Sequence, residues 1–215
     1  MKSKSWKNIQ RNKDKILIMD FNFSDNIILE DERVLIRPLI SSDKNYLLQV
    51  ALQSPTLVQY SPYKIHTDEF LEEFILNSMK EREIEFRYPF IIFDKVKKSY
   101  AGSTSFANIS NKDKRAEIGW TWIGKDFQKT GLNRHCKFLL LQYMFEHLEF
   151  ERVEFRTDER NQTSRTAMEK MGAKYEGSLR SHTLMNDGFR RTTVYYSILK
   201  PEWEKLKPEF LDLKI

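Results

Sequence analysis

One cysteine, Cys136, four histidines, seven glycines and six prolines are all that this chain of 215 residues holds of those types. A lone thiol forms no internal disulfide, and one thiol with four scattered histidines supplies no zinc site of the usual ligand spacing. The expected compartment is therefore the reducing cytoplasm, and no metal is expected. No apolar run approaches the roughly 18 to 20 residues that a membrane-spanning helix requires. The stretch Ile16-Leu17-Ile18-Met19 is too short for a signal-peptide core, so neither membrane insertion nor export is expected. Repeats, low-complexity tracts and Gly/Ser/Pro-rich linkers are missing as well, which leaves no internal domain boundary. Neither a phosphate loop ending in Gly-Lys-Ser/Thr nor a triple-glycine dinucleotide motif occurs, so the commonest nucleotide-binding signatures are excluded.

Aromatic residues are plentiful: 15 Phe, 9 Tyr and 4 Trp in a chain that is 40% hydrophobic. That is enough apolar mass for one sizeable core and excludes wholesale disorder. Charge is unevenly placed. The net charge of +5 resides in residues 1–15, with six basic side chains and one acid. The remainder sums to zero but is polarised, with residues 16–94 acidic and residues 95–215 basic. A basic C-terminal half suits a polyanionic ligand and an acidic N-terminal half a cationic partner. The N-terminal stretch has Trp6 as its one aromatic, so nucleic acid is expected to bind weakly and with strong salt dependence, if at all.

From Ile27 onward the pattern is mixed α/β. Val34 to Pro38 reads as a strand stopped by proline, and Ser41 or Ser42 as the cap of a helix through Leu52. Thr67-Asp68-Glu69 opens a second helix with Phe70, Phe74, Ile75 and Met79 at helical spacing. Tyr88 to Asp94 and Tyr100 to Phe106 suggest a hairpin, and Ala116 to Ile123 its third strand. Leu132, Cys136, Leu139, Leu140, Tyr143, Met144 and His147 fall on one face of a long helix, which the strand Arg152 to Thr157 follows. Asn161 or Thr163 caps a further helix stopped by Gly172, and two last strands, Ala173 to Thr183 and Arg190 to Leu199, flank the turn Asn186-Asp187-Gly188.

The most informative segment is Gln128-Lys129-Thr130-Gly131-Leu132-Asn133, between a strand and an amphipathic helix. Glycine lets the backbone approach a ligand closely, and the first helical turn offers unpaired N–H groups and a favourable dipole to an anion. This segment resembles the Gln/Arg-x-x-Gly-x-Gly/Ala loop with which the GNAT acyltransferase superfamily binds the pyrophosphate of coenzyme A, with Asn133 in place of the final small residue. The order of elements from about Val34 to Leu199 is also similar to that family. Ala116-Glu117-Ile118-Gly119, Asn161-x-x-Ser164, Glu169-Lys170-Met171-Gly172 and Tyr195-Tyr196-Ser197-Ile198-Leu199 resemble its RimJ/RimL-like branch.

The resemblance implies an α/β (α+β) fold in a single domain, with a mixed, mostly antiparallel central sheet flanked by helices and splayed at the cofactor strand. Its boundaries would be a basic arm over 1–20, the acetyltransferase domain over 21–200 and a C-terminal extension over 201–215. The implied activity is transfer of acetyl from acetyl-CoA to a primary amine, on a protein N-terminus or a small molecule, directly within a ternary complex. Trp122 and Ile123 would face the pantetheine arm, Gln128 through Asn133 the pyrophosphate with Arg134 adding charge, and Asn161 would hydrogen-bond the pantetheine. Glu117 would accept the amine proton. Many relatives place a tyrosine acid where this chain has Met168, so Ser164 is the implied proton donor to the thiolate. A glutamate of the same branch falls at Thr183. Arg180 and His182 are candidates for the acceptor pocket, and His182 is a second candidate base. A homodimer is implied by the resemblance alone. The alternative is a non-catalytic acyl-CoA-binding or regulatory module, suggested by Met168 and Asn133.

Overall fold

The computed structural model describes residues 19–211. The basic stretch expected over residues 1–20 therefore lies, up to residue 18, outside the described residues.

Eight strands form one sheet in the order β1-β2-β3-β4-β5-β6-β8-β7. They are β1 (Leu29–Glu30), β2 (Val34–Pro38), β3 (Arg87–Asp94), β4 (Ser99–Ser110), β5 (Arg115–Ile123), β6 (Arg152–Asp158), β7 (Lys174–Leu184) and β8 (Arg190–Leu199). Every neighbouring pair is antiparallel except β5 and β6. Parallel neighbours need a long crossover, and the helix α3 (Leu132–Gln142) provides it. The other helices are α1 (Lys44–Ala51), α2 (Asp68–Glu83), α4 (Gln162–Lys170) and α5 (Lys200–Leu211).

The sheet has two covered faces. Phe106 of β4 stacks on Tyr143 just beyond α3 at 5.9 Å, and its partner across the ladder is Ile118 of β5, so Phe106 and Ile118 define the α3 face. Glu117 and Trp122 then fall on the opposite face, where Phe74 of α2 packs edge-on against Trp122. Burial on both sides explains why β3 is apolar almost throughout and buried at every position but Phe93. At the far end β7 is an edge strand whose residues are nearly all exposed. The helix α5 lies against α3 through Trp203 and Phe210, which close on Phe138 at 5.7 and 5.9 Å.

Two local expectations differ from the structure. No serine caps α1: the turn before it is a short 3-10 helix over Ser41–Asp43, and the buried Asp43 carboxylate accepts from the Ile40 N–H and from both terminal nitrogens of Arg37. A carboxylate with a guanidinium partner outcompetes a hydroxyl for that corner. The long helix from Leu132 is regular only to Gln142; Tyr143–His147 widen into a π turn, with the Leu148 N–H donating to the Tyr143 carbonyl at 3.1 Å. This turn carries the ring of Tyr143 that stacks on both Phe106 and His147.

Candidate active site

β5 and β6 share a ladder for only three residue pairs, Arg115 with Arg152, Ala116 with Val153 and Glu117 with Glu154. Beyond Glu117 the two strands part: β5 stays with β4 as far as Ile123, and β6 stays with β8 as far as Asp158. A wedge opens in the middle of the sheet, and the edge of β5 over residues 118–123 presents main-chain groups without a strand partner. Such groups are strong donors and acceptors that require a partner. A bulge sits on this same edge: Ser105 opposes Gly119 but Ser103 opposes Trp122, and Trp120 takes φ 49° to accommodate the extra residue. The bulge keeps Trp120 and Trp122 on the α2 face and sends Thr121 to the α3 face, where its hydroxyl meets α3.

The loop after β5 leads directly to the helix N-terminus. The Gln128 carboxamide donates to the Ile123 carbonyl at 2.9 Å, and the Thr130 hydroxyl to the Phe127 carbonyl at 2.7 Å. Arg33, bonded to Asp94, braces Thr130 from behind. Lys129 and Gly131 both have positive φ, 60° and 85°, and Gly131 caps α3. A β-carbon added to Gly131 would meet nothing within 4 Å, so this backbone is open on one side, and the Leu132 and Asn133 amides have no intrahelical partner. Leu132 is buried and anchors the helix, while Asn133 Oδ1 and Trp122 Nε1 are buried polar atoms without a hydrogen bond among the described residues. Arg134 is exposed, but its guanidinium is turned to α5, donating to the Glu209 carbonyl and lying 5.5 Å from the Phe210 ring.

On the α2 face, Glu117 is 2% exposed. One carboxylate oxygen accepts from Arg156 Nε at 2.8 Å and the other from Asn108 Nδ2 at 2.6 Å. Burial pushes its pKa above the usual carboxylate value, against the opposing pull of Arg156 and Asn108. Farther along, Arg191 donates to the Tyr60 carbonyl and to Thr193, and Arg160 pairs with the buried Asp158 while lying 3.9 Å from the Phe189 ring. These contacts tie the α1–α2 connection to β6 and β8.

The other residues singled out from the sequence are spread around this centre. Asn161 is the cap of α4, its side chain accepting from the Ser164 N–H at 3.1 Å. Ser164 is half-buried in the first turn of α4, at the β6 side of the wedge. Met168 is buried one turn on. His182 is exposed, its ring nitrogen within 3.1 Å of the Thr193 hydroxyl and 3.2 Å of Thr183, and burial and the cations Arg156 and Arg191 lower its pKa. Arg180 is exposed and has no hydrogen-bond partner among the described residues.

Sequence reasoning missed four groups. Arg156 and Asn108 complete the Glu117 site, and the alternation Arg152-Val153-Glu154-Phe155-Arg156 was the available signal for Arg156. The third is Lys137, a lysine at helical spacing from the buried Leu140 and Met144. The fourth is the trio Asp31, Glu32 and His135, whose side-chain ligand atoms lie within 4.8 Å of one another, with His135 Nδ1 at 2.7 Å from Asp31. No signal in the sequence joins residues about a hundred positions apart.

The acetyltransferase (GNAT) domain model matches residues 33–174. The chain belongs to the GNAT acetyltransferase family. YdaF of Bacillus subtilis (strain 168), whose name marks it as a candidate ribosomal N-acetyltransferase, is 38% identical over 106 residues, 49% of this chain and 57% of that protein. The match thus spans little more than half the length of that relative. A candidate acetyltransferase of T. thermophilus has a solved structure that is 30% identical, with a TM-score of 0.78 over 86% of this chain and 95% of the other. The solved structure of a GCN5-related N-acetyltransferase from Brucella melitensis, at 23% identity, shares the fold with a TM-score of 0.82 over 89% and 87% of the two chains. The expected mixed, mostly antiparallel sheet flanked by helices is the observed one, and the match to YdaF agrees with the RimJ/RimL-like branch. GNAT enzymes are acyltransferases whose donor is acetyl-CoA. The open backbone at Gly131 and the free β5 edge are chemically suited to such a donor, a polyanion carrying an amide-rich arm.

Proposed function

We propose that this protein is an acetyl-CoA-dependent N-acetyltransferase that moves an acetyl group to a primary amine by direct transfer in a ternary complex. The observation that carries this reading is the parting of β5 from β6 immediately after a buried glutamate, in line with an open glycine at the N-terminus of α3. The pyrophosphate would rest on the first-turn amides of α3 around Gly131, flanked by Gln128, Lys129, Thr130, Leu132 and Asn133. The pantetheine would pair with the free edge near Trp122 and Ile123, opposite Asn161.

The acceptor amine enters from the α2 face, where Glu117 lies. Its nitrogen attacks the thioester carbonyl, the C–N bond forms, and the C–S bond breaks as the tetrahedral intermediate collapses. The surplus amine proton passes to the Glu117 carboxylate, directly or through a water, and a raised pKa makes that carboxylate a better base. Ser164 offers its hydroxyl to the departing sulfur. The name of YdaF points to a ribosomal acceptor, and the primary amine proposed for this chain on that basis is a protein N-terminus. The cationic neighbours of His182 and the acidic α2 helix supply mixed polarity for such a peptide.

A free-thiol release assay over a panel of N-terminal peptides and small amines, with mass spectrometry of the acceptor, tests this. A mass gain of one acetyl group with stoichiometric thiol release is expected. Acetyl-CoA binding without release on any amine would instead favour the non-catalytic acyl-CoA module.

A further inference from the structure

Near Glu117 the arginines of the α2 face take carboxylate partners, with one exception. Arg156 donates to Glu117, Arg160 to Asp158 and Arg152 to Glu154, and Arg87 meets Glu81. Arg191 is the exception: it is 8% exposed and bonds to no carboxylate among the described residues. Its Nε donates to the Thr193 hydroxyl at 3.2 Å and its Nη1 to the Tyr60 carbonyl at 2.7 Å. Nη2 has no hydrogen bond among the described residues and, unlike Nε and Nη1 of Arg87, is not enclosed by protein. Burial lowers the Arg191 pKa against the opposing pull of Asp158, which Arg160 already holds. A buried guanidinium with one open corner is a ready partner for an anion from outside the chain.

The sheet register ties this arginine to the proposed base. Along β8 the alternation of Arg191, Thr193 and Tyr195 places these side chains on one face, with Tyr195 opposite Arg156 and Thr193 opposite Asp158. Arg156 holds Glu117 at 2.8 Å, so Arg191 and the glutamate share the α2 face. From Glu154, where β6 last pairs with β5, the strand runs to Asp158 at the open end of the wedge, and Arg191 lies just beyond Thr193 at that end. Four residues of β8, about 14 Å of strand, separate Arg191 from the Arg156–Tyr195 pair. The side chain spans part of that distance, since the charges of Arg191, Arg156 and Glu117 act on one another. His182 stands between them, 3.1 Å from the Thr193 hydroxyl and with its ring 6.0 Å from that of Tyr195. An acceptor whose amine reaches Glu117 and whose chain leaves through the open end of the wedge passes Arg191.

We propose that Arg191 binds a carboxylate of the acceptor, so that the preferred substrate is a peptide N-terminus with an acidic side chain at its second or third residue. The inference rests on the amine-acetylation reading above and narrows its acceptor class. An extended peptide advances about 3.4 Å per residue, so with the arginine arm counted about two or three residues cover the span from an amine at Glu117 to Nη2 of Arg191. The carboxylate of a free α-amino acid lies too close to its own amine to do so. A peptide with an amide in place of the carboxylate leaves the guanidinium without its charged partner, and an unpaired buried polar group is a strong source of discrimination. Arg191 moves no proton and touches no reacting atom; it acts on the binding and register of the acceptor.

The test uses the full chain and pairs of peptides that differ only by Asp or Asn at the second or the third residue, with kcat/KM read from thiol release and acetylation confirmed by mass. Wild type is expected to favour Asp over Asn at one of these positions by about 20-fold or more, mostly through KM. Arg191→Gln should bring that ratio to about twofold or less, with the loss falling on the Asp peptide. Arg191→Lys, which keeps the charge without the fork, should retain part of the preference. A merely structural role, through Tyr60 and Thr193, would lower the Asp and Asn peptides by the same factor in Arg191→Gln, and that result overturns the proposal. A wild type that acetylates Asp and Asn peptides equally well overturns it too, whether or not the variants fold. A wild type that binds acetyl-CoA but acetylates neither peptides nor small amines overturns the transfer reading itself, and this inference with it.

Discussion

The two faces of the sheet differ in how they hold side-chain charge and main-chain polar groups. On the α2 face nearly every charge near the centre has a partner: Glu117 with Arg156 and Asn108, Asp158 with Arg160, Arg191 with the Tyr60 carbonyl. On the α3 side, among the described residues, the backbone at Gly131, the buried Asn133 Oδ1 and the β5 edge stand open, and Lys137 meets the Thr121 hydroxyl but no carboxylate. Buried polar atoms without a partner occur on the α2 face too, at Arg87, Ser105 and Trp122; what sets the other side apart is that open main-chain groups, at Gly131 and along the β5 edge, follow one path, which reads as a binding surface for something outside the chain. The paired face reads as a rigid frame that holds one carboxylate at a fixed point and a raised pKa. On the proposed reading, donor binding and proton acceptance belong to different faces, meeting where β5 and β6 part.

Four changes would break or sharpen that contrast. The largest effect is expected from Gly131→Glu, which places a negative charge in the cradle at a backbone φ of 85°. Acetyl-CoA affinity should fall roughly 100-fold or more, about 3 kcal/mol, while thermal unfolding stays cooperative; unchanged calorimetric affinity in a folded variant would unseat the cradle. Next is Glu117→Gln, which should cost about 100-fold in kcat with acetyl-CoA affinity retained. The sign of the pH dependence follows from the base role: wild-type rate rises as Glu117 loses its proton, above the usual carboxylate range, and the variant should lack that rising limb.

Arg156→Met should act on stability first. It leaves the Glu117 carboxylate, 3% exposed, without its cation, a loss of about 3 kcal/mol in denaturant unfolding at pH 7, shrinking as acid protonates the glutamate. A cost that is the same at pH 4 and pH 8 would show the pair to be dispensable.

An effect of similar size, spread over a wider pH range, belongs to the other face. Lys137 has a folded pKa of about 8, below its unfolded value, so between those two values the unfolded chain holds a proton that the folded one has released. Stability of the wild type relative to Lys137→Met should therefore be flat below pH 8 and rise by about 3 kcal/mol from pH 8 to 10.5. A difference that does not change with pH would mean that the lysine is not desolvated.

Much of this architecture was legible in the sequence, and the reason differs between elements. The strand from Ala116, the glycine at position 131 and the apolar stripe from Leu132 are local patterns, set by side-chain period and backbone freedom, so they could be read without the fold. The π turn at Tyr143–His147 was not legible, because its aromatic residues keep the helical period while the stacking on Phe106 comes from a strand far away. The same applies to the site. Glu117 and the cradle residues sit inside recognisable local motifs. Arg156, Asn108 and the Lys137–Thr121 contact are made by the sheet register and the α3 docking, which join residues 9 to 39 positions apart. Even so, a lysine in an apolar stripe is a local oddity that hydrophobic periodicity alone can expose.

The most direct measurement of the central claim is amide hydrogen exchange of the full chain with and without acetyl-CoA. Slowed exchange confined to residues 118–123, the first turn of α3 from Gly131 and the start of α4 at Asn161 to Ser164 is the predicted result. Binding without protection on the β5 edge, or protection centred on the α2 face, would contradict the placement of the donor in the wedge.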